Sequence, residues 1–201
     1  MPDRLLQGYR RFRENYYEQH KEELSALSEG QSPRFAVVSC CDSRVDPSIV
    51  FDATPGDLFT VRNVANLVPP LEHGGRYHGT SAALEFAVQH LQVEHVVVLG
   101  HANCGGIKLL METDGEEDPD GQSYLRNWVS MAKPVLDLVK KDECCSTEEL
   151  QTACEHASIK NSLKNLLSFP WIRERVEDGR LQIHGLHYDL ATSTLERIEP
   201  E

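Results

Sequence analysis

Two short segments hold the residues best suited to do chemistry, Cys40-Cys41-Asp42-Ser43-Arg44 and His101-Ala102-Asn103-Cys104-Gly105-Gly106. Thiolate and imidazole donors together suit zinc, a borderline-soft ion that takes sulfur and nitrogen ligands tetrahedrally. Only three ligands are obvious, Cys40, His101 and Cys104. A structural zinc site closes with four, whereas three protein ligands and a place left for water or a carboxylate is the arrangement of a catalytic zinc.

His101 and Cys104 are one turn-like step apart, so both can reach one ion. Gly105 and Gly106 let the backbone pass close to the metal and enter a helix, whose free N–H groups favour anionic ligands. Cys41 rivals Cys40, but in extended backbone the two point to opposite sides, so one faces the site and the other faces away. Asp42 stands near Arg44, which favours its ionised form. An ionised Asp42 beside zinc either ligates the metal and closes the site, or pairs with Arg44 and accepts a hydrogen bond from the water that the metal activates. The two states exclude each other, so the pair is a candidate switch.

Each motif alone is weak. Their placement after two apolar strands, together with the paired glycines, makes them a metal site. The remaining histidines, including His73, His156 and His187, read as surface or satisfied core residues, and Cys144, Cys145 and Cys154 as buried or incidental thiols.

The positioning elements follow from hydrophobic pattern. Phe35 to Ser39 and Val96 to Gly100 are short apolar runs, read as buried strands that end one residue before Cys40 and His101. A weaker strand covers 57–61, and a last strand runs from Arg180 to His187. Helical spacing marks 4–27, 79–92, a helix from Gly105, and helices at about 123–142 and 147–168. Residues 112–121 are acidic and turn-rich, an exposed loop. Strands alternating with helices predict an α/β fold with a mainly parallel central sheet flanked by helices. In such sheets ligands bind beyond the carboxyl ends of strands, where both motifs fall.

The 201 residues suit one domain, 1–201, with an N-terminal helical arm at 1–30 and a zinc-binding α/β core at 31–201. A net charge of −12 argues against nucleic acid as a partner. No run approaches the roughly 18 apolar residues of a membrane span, and the N-terminus lacks an apolar signal core. Six cysteines without a disulfide-framework spacing fit a reducing compartment. The expectation is a soluble cytoplasmic protein with no membrane partner.

With these residues in hand, the chain resembles the β-class carbonic anhydrases over almost its whole length. Cys-x-Asp-Ser-Arg matches 40–44, and His-x-x-Cys-Gly-Gly matches 101–106. Pro55-Gly56-Asp57 and Arg62-Asn63-Val64-Ala65-Asn66 look like the family's connecting segment. The resemblance implies one zinc per chain on Cys40, His101 and Cys104, and it favours Cys40 over Cys41. It makes Asp42 and Arg44 a catalytic dyad, with Asp42 also a potential metal ligand, and the reaction reversible hydration of carbon dioxide to bicarbonate and a proton. Val37 stands where the bicarbonate-inhibited subgroup has Trp, and Gln31-Ser32-Pro33 resembles the plant-type subgroup. There the Gln enters the neighbouring subunit's site. Gln31, Phe59, Val64 and Gly105 are accordingly the implied substrate-binding positions, while Phe86 replaces the Tyr common in that subgroup. N-terminal helices laid on a partner imply a homodimer, with tetramers built from it. The rival readings are a carbonyl sulfide or carbon disulfide hydrolase on the same scaffold, a non-enzymatic zinc-binding protein, and an enzyme with a cysteine nucleophile.

Overall fold

A computed structural model describes residues 2–72, 78–141 and 146–200. His73, Cys144 and Cys145 lie outside the described residues. The chain forms two compact units, Met1–Ser32 and Pro33–Glu201. In the first unit, α1 (Asp3–Arg11) runs through a π-helical turn into α2 (Lys21–Ala26). Tyr16 stacks on both Phe12 and His20, its neighbours four residues away on the same helical face.

The second unit is built on a five-stranded sheet of β1 (Phe35–Cys40), β2 (Leu58–Asn63), β3 (His95–His101), β4 (Gln182–Tyr188) and β5 (Leu195–Ile198). The spatial order is β2-β1-β3-β4-β5, parallel except for the antiparallel β5. In chain order the helices of this unit are α3 (Pro47–Val50), α4 (Gly79–Glu85), α5 (Gly105–Glu112), α6 (Tyr124–Val129), α7 (Lys133–Val139), α8 (Thr147–Leu166) and α9 (Pro170–Glu177). A capping box starts α8: Ser146 Oγ accepts from the Glu149 N–H, and the Glu149 carboxylate accepts from the Ser146 N–H. No helix among the described residues is long and apolar enough to cross a membrane.

Strands β1 and β3 have continuous apolar centres, residues 36–38 and 96–99, because both of their faces are covered. Successive side chains alternate between those faces. Ala36, Val38, Val96 and Val98 pack with Ile159, Leu163 and Leu166 of α8, whereas Val37, Val97 and Leu99 pack with Val45 on the other side. Helix α8 packs tightly on the sheet at Gly100. A Cβ there would stand 2.7 Å from Ile159 Cδ1, so glycine allows the helix to close on the strand next to His101. From β1 the chain passes to β2 on one side and then to β3 on the other. The carboxyl ends of β1 and β3 therefore flank a topological switch point, where open α/β sheets bind ligands.

The structure departs from the expected elements in four places. Cys40 and His101 close their strands instead of following them. The expected 123–142 helix is two helices joined by a 3-10 turn at Ser130–Ala132, since Pro134 supplies no N–H to continue a single helix. Pro170 begins α9, because a proline in the first turn gives up only an N–H that has no helical partner. Finally, β5 adds an edge strand that is too short and too polar to show in the pattern.

Candidate metal centre

Cys40 and His101 reach the same place because β1 and β3 are hydrogen-bonded neighbours, with Ser39 paired to Leu99. Asn103 then turns the chain back at φ 56°, a left-handed conformation that asparagine tolerates, and Cys104 precedes α5. The three ligand atoms lie within 4.8 Å of one another, and the two sulfurs are 3.9 Å apart. Two sulfurs on a tetrahedral zinc at about 2.3 Å stand about 3.8 Å apart. All three side chains are buried.

His101 provides the clearest test of fit. Its Nδ1–H donates to the Ala102 carbonyl at 2.9 Å, which leaves Nε2 as the unprotonated nitrogen. That Nε2 is buried and has no hydrogen-bond partner. A buried polar atom without a partner is costly unless something else, such as an ion, takes its lone pair. The thiols point the same way. The hydrogen bond from Cys104 holds the Cys40 thiol well below its ordinary range, and the same bond, with burial, pushes Cys104 up. The pair on its own thus keeps one negative charge, and a divalent cation is what lets both sulfurs ionise together.

Asp42 is paired with Arg44. Arg44 donates from its backbone N–H and Nε to Oδ1 and from Nη2 to Oδ2, at 2.9, 2.9 and 2.6 Å. This guanidinium holds the carboxyl far below the usual carboxylate range. Asp42 Oδ2 stays 3.8 Å from His101 Nε2, beside the ligand cluster but outside it. Arg44 Nη2 also donates to the Asn103 carbonyl at 3.1 Å, which ties the two motif segments together.

Among the remaining expected positions, Val64 packs against the cluster that contains Cys40 and Cys104. Phe59 does not: it sits 5.8 Å from Phe86, ring to ring, against the separate cluster under α8. Gln31 belongs to the N-terminal unit. Cys41 is exposed, and its N–H continues the β1–β2 ladder to the Asn63 carbonyl. The two glycines differ. A Cβ on Gly106 would stand 2.8 Å from Val64 Cγ1 and 2.9 Å from Ala65 Cβ, whereas one on Gly105 meets nothing within 4 Å. Close packing at the start of α5 therefore requires glycine at Gly106.

Two supporting residues were not evident in the sequence. Arg62 donates to the carbonyls of Cys40, Asp42 and Val45 and to Asp46, which clamps the loop after β1. Glu155, buried on α8, accepts from the Cys104 N–H at 3.0 Å through Oε1 and lies 3.0 Å from His187 Nε2 through Oε2. Replacing Glu155 with Ala strands both groups, at about 1–3 kcal/mol for each. We expect a clear fall in the denaturation midpoint of Glu155→Ala, together with weaker zinc retention. A wild-type midpoint in that variant would show that Glu155 is not what holds Cys104.

Comparison with known proteins decides the family. The carbonic anhydrase profile matches residues 35–195. β-Carbonic anhydrase 5 (chloroplastic) of Arabidopsis thaliana is 42% identical over 97% of this chain and 64% of its own length. β-Carbonic anhydrase 3 of the same plant is 38% identical over 98% of this chain and 76% of its own length. The chain belongs to the β-class carbonic anhydrases. Solved structures of that class share its fold. The β-carbonic anhydrase CcaA superposes with a TM-score of 0.89 at 32% identity, over 98% of this chain and 94% of the other. One of two tetrameric β-carbonic anhydrases from Sordaria macrospora gives 0.84 at 26%, over 98% and 95%. As a member of the β class, the chain carries the ligand motifs and the Asp42–Arg44 pair at the carboxyl ends of β1 and β3. It spans less than two thirds, 64%, of the length of the first of these relatives.

Proposed function

We propose that the protein catalyses reversible hydration of carbon dioxide to bicarbonate and a proton, with one zinc per chain held by Cys40, His101 and Cys104. The observation that carries this reading is the partnerless His101 Nε2 beside two buried thiols, with an ionised carboxylate 3.8 Å away. When bound, zinc supplies Lewis acidity that brings the proton of a water within reach of neutral pH. Asp42 Oδ2 then accepts a hydrogen bond from that water and turns its lone pair towards the substrate. Arg44 keeps Asp42 ionised and held away from the ligand cluster. Val64 offers the apolar carbon dioxide an apolar wall. Gln31 is assigned to substrate placement in a partner subunit's site, Phe59 to the apolar wall of the pocket, Gly105 to an N–H facing bicarbonate, and the working unit to a homodimer or tetramer. Membership of a class with tetrameric structures supports the last assignment. Free thiols as metal ligands favour a reducing compartment, the cytoplasm.

Side-by-side stopped-flow assays with carbon dioxide, carbonyl sulfide and carbon disulfide test the substrate. Rapid hydration of carbon dioxide with slow turnover of the sulfur compounds is expected, and the reverse order would overturn the reading. Two thiolates neutralise the charge of the ion, so the water is less acidic than on a site of three neutral imidazoles. Activity should therefore climb from neutral to mildly alkaline pH. Asp42 does not shape that climb, because it is already ionised throughout the range. A flat profile across that range counts against the assignment.

A further inference from the structure

We propose that His156, His187 and Glu196 form a second metal site, distinct from the Cys40–His101–Cys104 centre, which takes a borderline divalent ion such as zinc, cobalt or nickel. One imidazole nitrogen from each histidine and a carboxylate oxygen of Glu196 lie within 4.8 Å of one another. The fold builds this arrangement from three elements. His187 on β4 and Glu196 on β5 are directly paired across the antiparallel ladder, which puts their side chains on one face of the sheet. His156 comes from α8, which packs over that ladder, and its ring meets the His187 ring edge-on at 4.5 Å.

The cluster is unsatisfied as it stands. His156 Nε2 is buried and has no hydrogen-bond partner. The nearest anionic atom, Glu196 Oε2, is 3.7 Å away, too far for a hydrogen bond. Nitrogen and oxygen ligands at about 2.0–2.1 Å from a tetrahedral ion stand about 3.3 Å apart, close to the 3.7 Å between His156 Nε2 and Glu196 Oε2. His187 already has the second partner that metal-bound imidazoles use to fix their ring, the Glu155 carboxylate 3.0 Å from its Nε2. Glu196 is largely exposed while His187 is almost fully buried, so an ion can enter from the Glu196 side. The donors are nitrogen and oxygen only, which separates this site chemically from the thiolate-rich one.

Cobalt(II) titration of the zinc-loaded full chain tests the proposal. Uptake of one equivalent is expected, with d–d bands but no thiolate charge-transfer band, since sulfur is absent from the second site. His156→Ala should abolish this uptake. Glu196→Gln, an exposed edge change with little bearing on folding, should weaken it at least tenfold. Both variants should retain their original zinc and the wild-type rate of carbon dioxide hydration. No cobalt uptake by the wild type, a thiolate charge-transfer band, or unchanged uptake in both variants would overturn the proposal. Cobalt uptake is read without hydration activity, so failure here is distinguishable from failure of the proposed function.

Discussion

Replacing His101 with Ala should remove zinc and carbon dioxide hydration together. The ring is fully buried in the ligand cluster with its Nδ1 tied to the Ala102 carbonyl, so an alanine leaves only the two thiols of the set. Structural zinc sites bind with about 10–16 kcal/mol, or about 3 kcal/mol for each of four ligands. Loss of one ligand therefore costs more than a hundredfold in affinity. Cys40→Ser should behave alike, because a neutral hydroxyl is a poor replacement for a thiolate on a borderline-soft ion. Zinc content after dialysis, read beside stopped-flow rates, checks both variants, with circular dichroism to confirm folding. Full activity in a zinc-free His101→Ala protein would contradict the assignment.

Asp42→Asn should separate what the first pair of variants joins. Asp42 is outside the ligand cluster, so zinc should stay bound. The substitution takes away the negative charge that Arg44 grips, and it presents an amide whose N–H₂ cannot accept a hydrogen bond from the water. A loss of about 10²–10⁴ in turnover is expected, the usual range for a positioned proton acceptor. The fall should appear in kcat more than in KM, since Asp42 orients the nucleophile and does not bind carbon dioxide. In the wild type, the carboxyl is held far below its unfolded value of about 3.9. The Asp42–Arg44 contribution to stability is therefore fully present above that value and is lost only as pH falls through the lower folded one. A metal-loaded Asp42→Asn enzyme at wild-type rates would refute the role.

Much of this centre was legible in the sequence because its ligands sit at the ends of apolar strands. β1 and β3 are buried on both faces, so they stand out as continuous runs of Val, Ala and Leu. β5 did not show, since Leu-Glu-Arg-Ile is four residues long, half charged, and held as an edge strand by pairing with β4 alone. Glu155 was invisible for a different reason. It belongs to a helix whose polar residues resemble a solvated face, and its partner Cys104 is 51 residues away. Arg62 likewise reads as an ordinary charge until the loop after β1 is seen folded around it. The glycine pair shows that a motif's letters do not share one cause: Gly106 is needed for contact with Val64 and Ala65, and Gly105 has no such neighbour. The His156–His187–Glu196 cluster needed the β4–β5 register, which no local pattern predicts.

Stopped-flow hydration of carbon dioxide before and after treatment with a strong chelator, with zinc counted in the same samples, probes the central claim most directly. The predicted result is that hydration falls away as zinc leaves Cys40, His101 and Cys104 and returns when zinc is restored. Hydration at an undiminished rate in protein stripped of metal would contradict it.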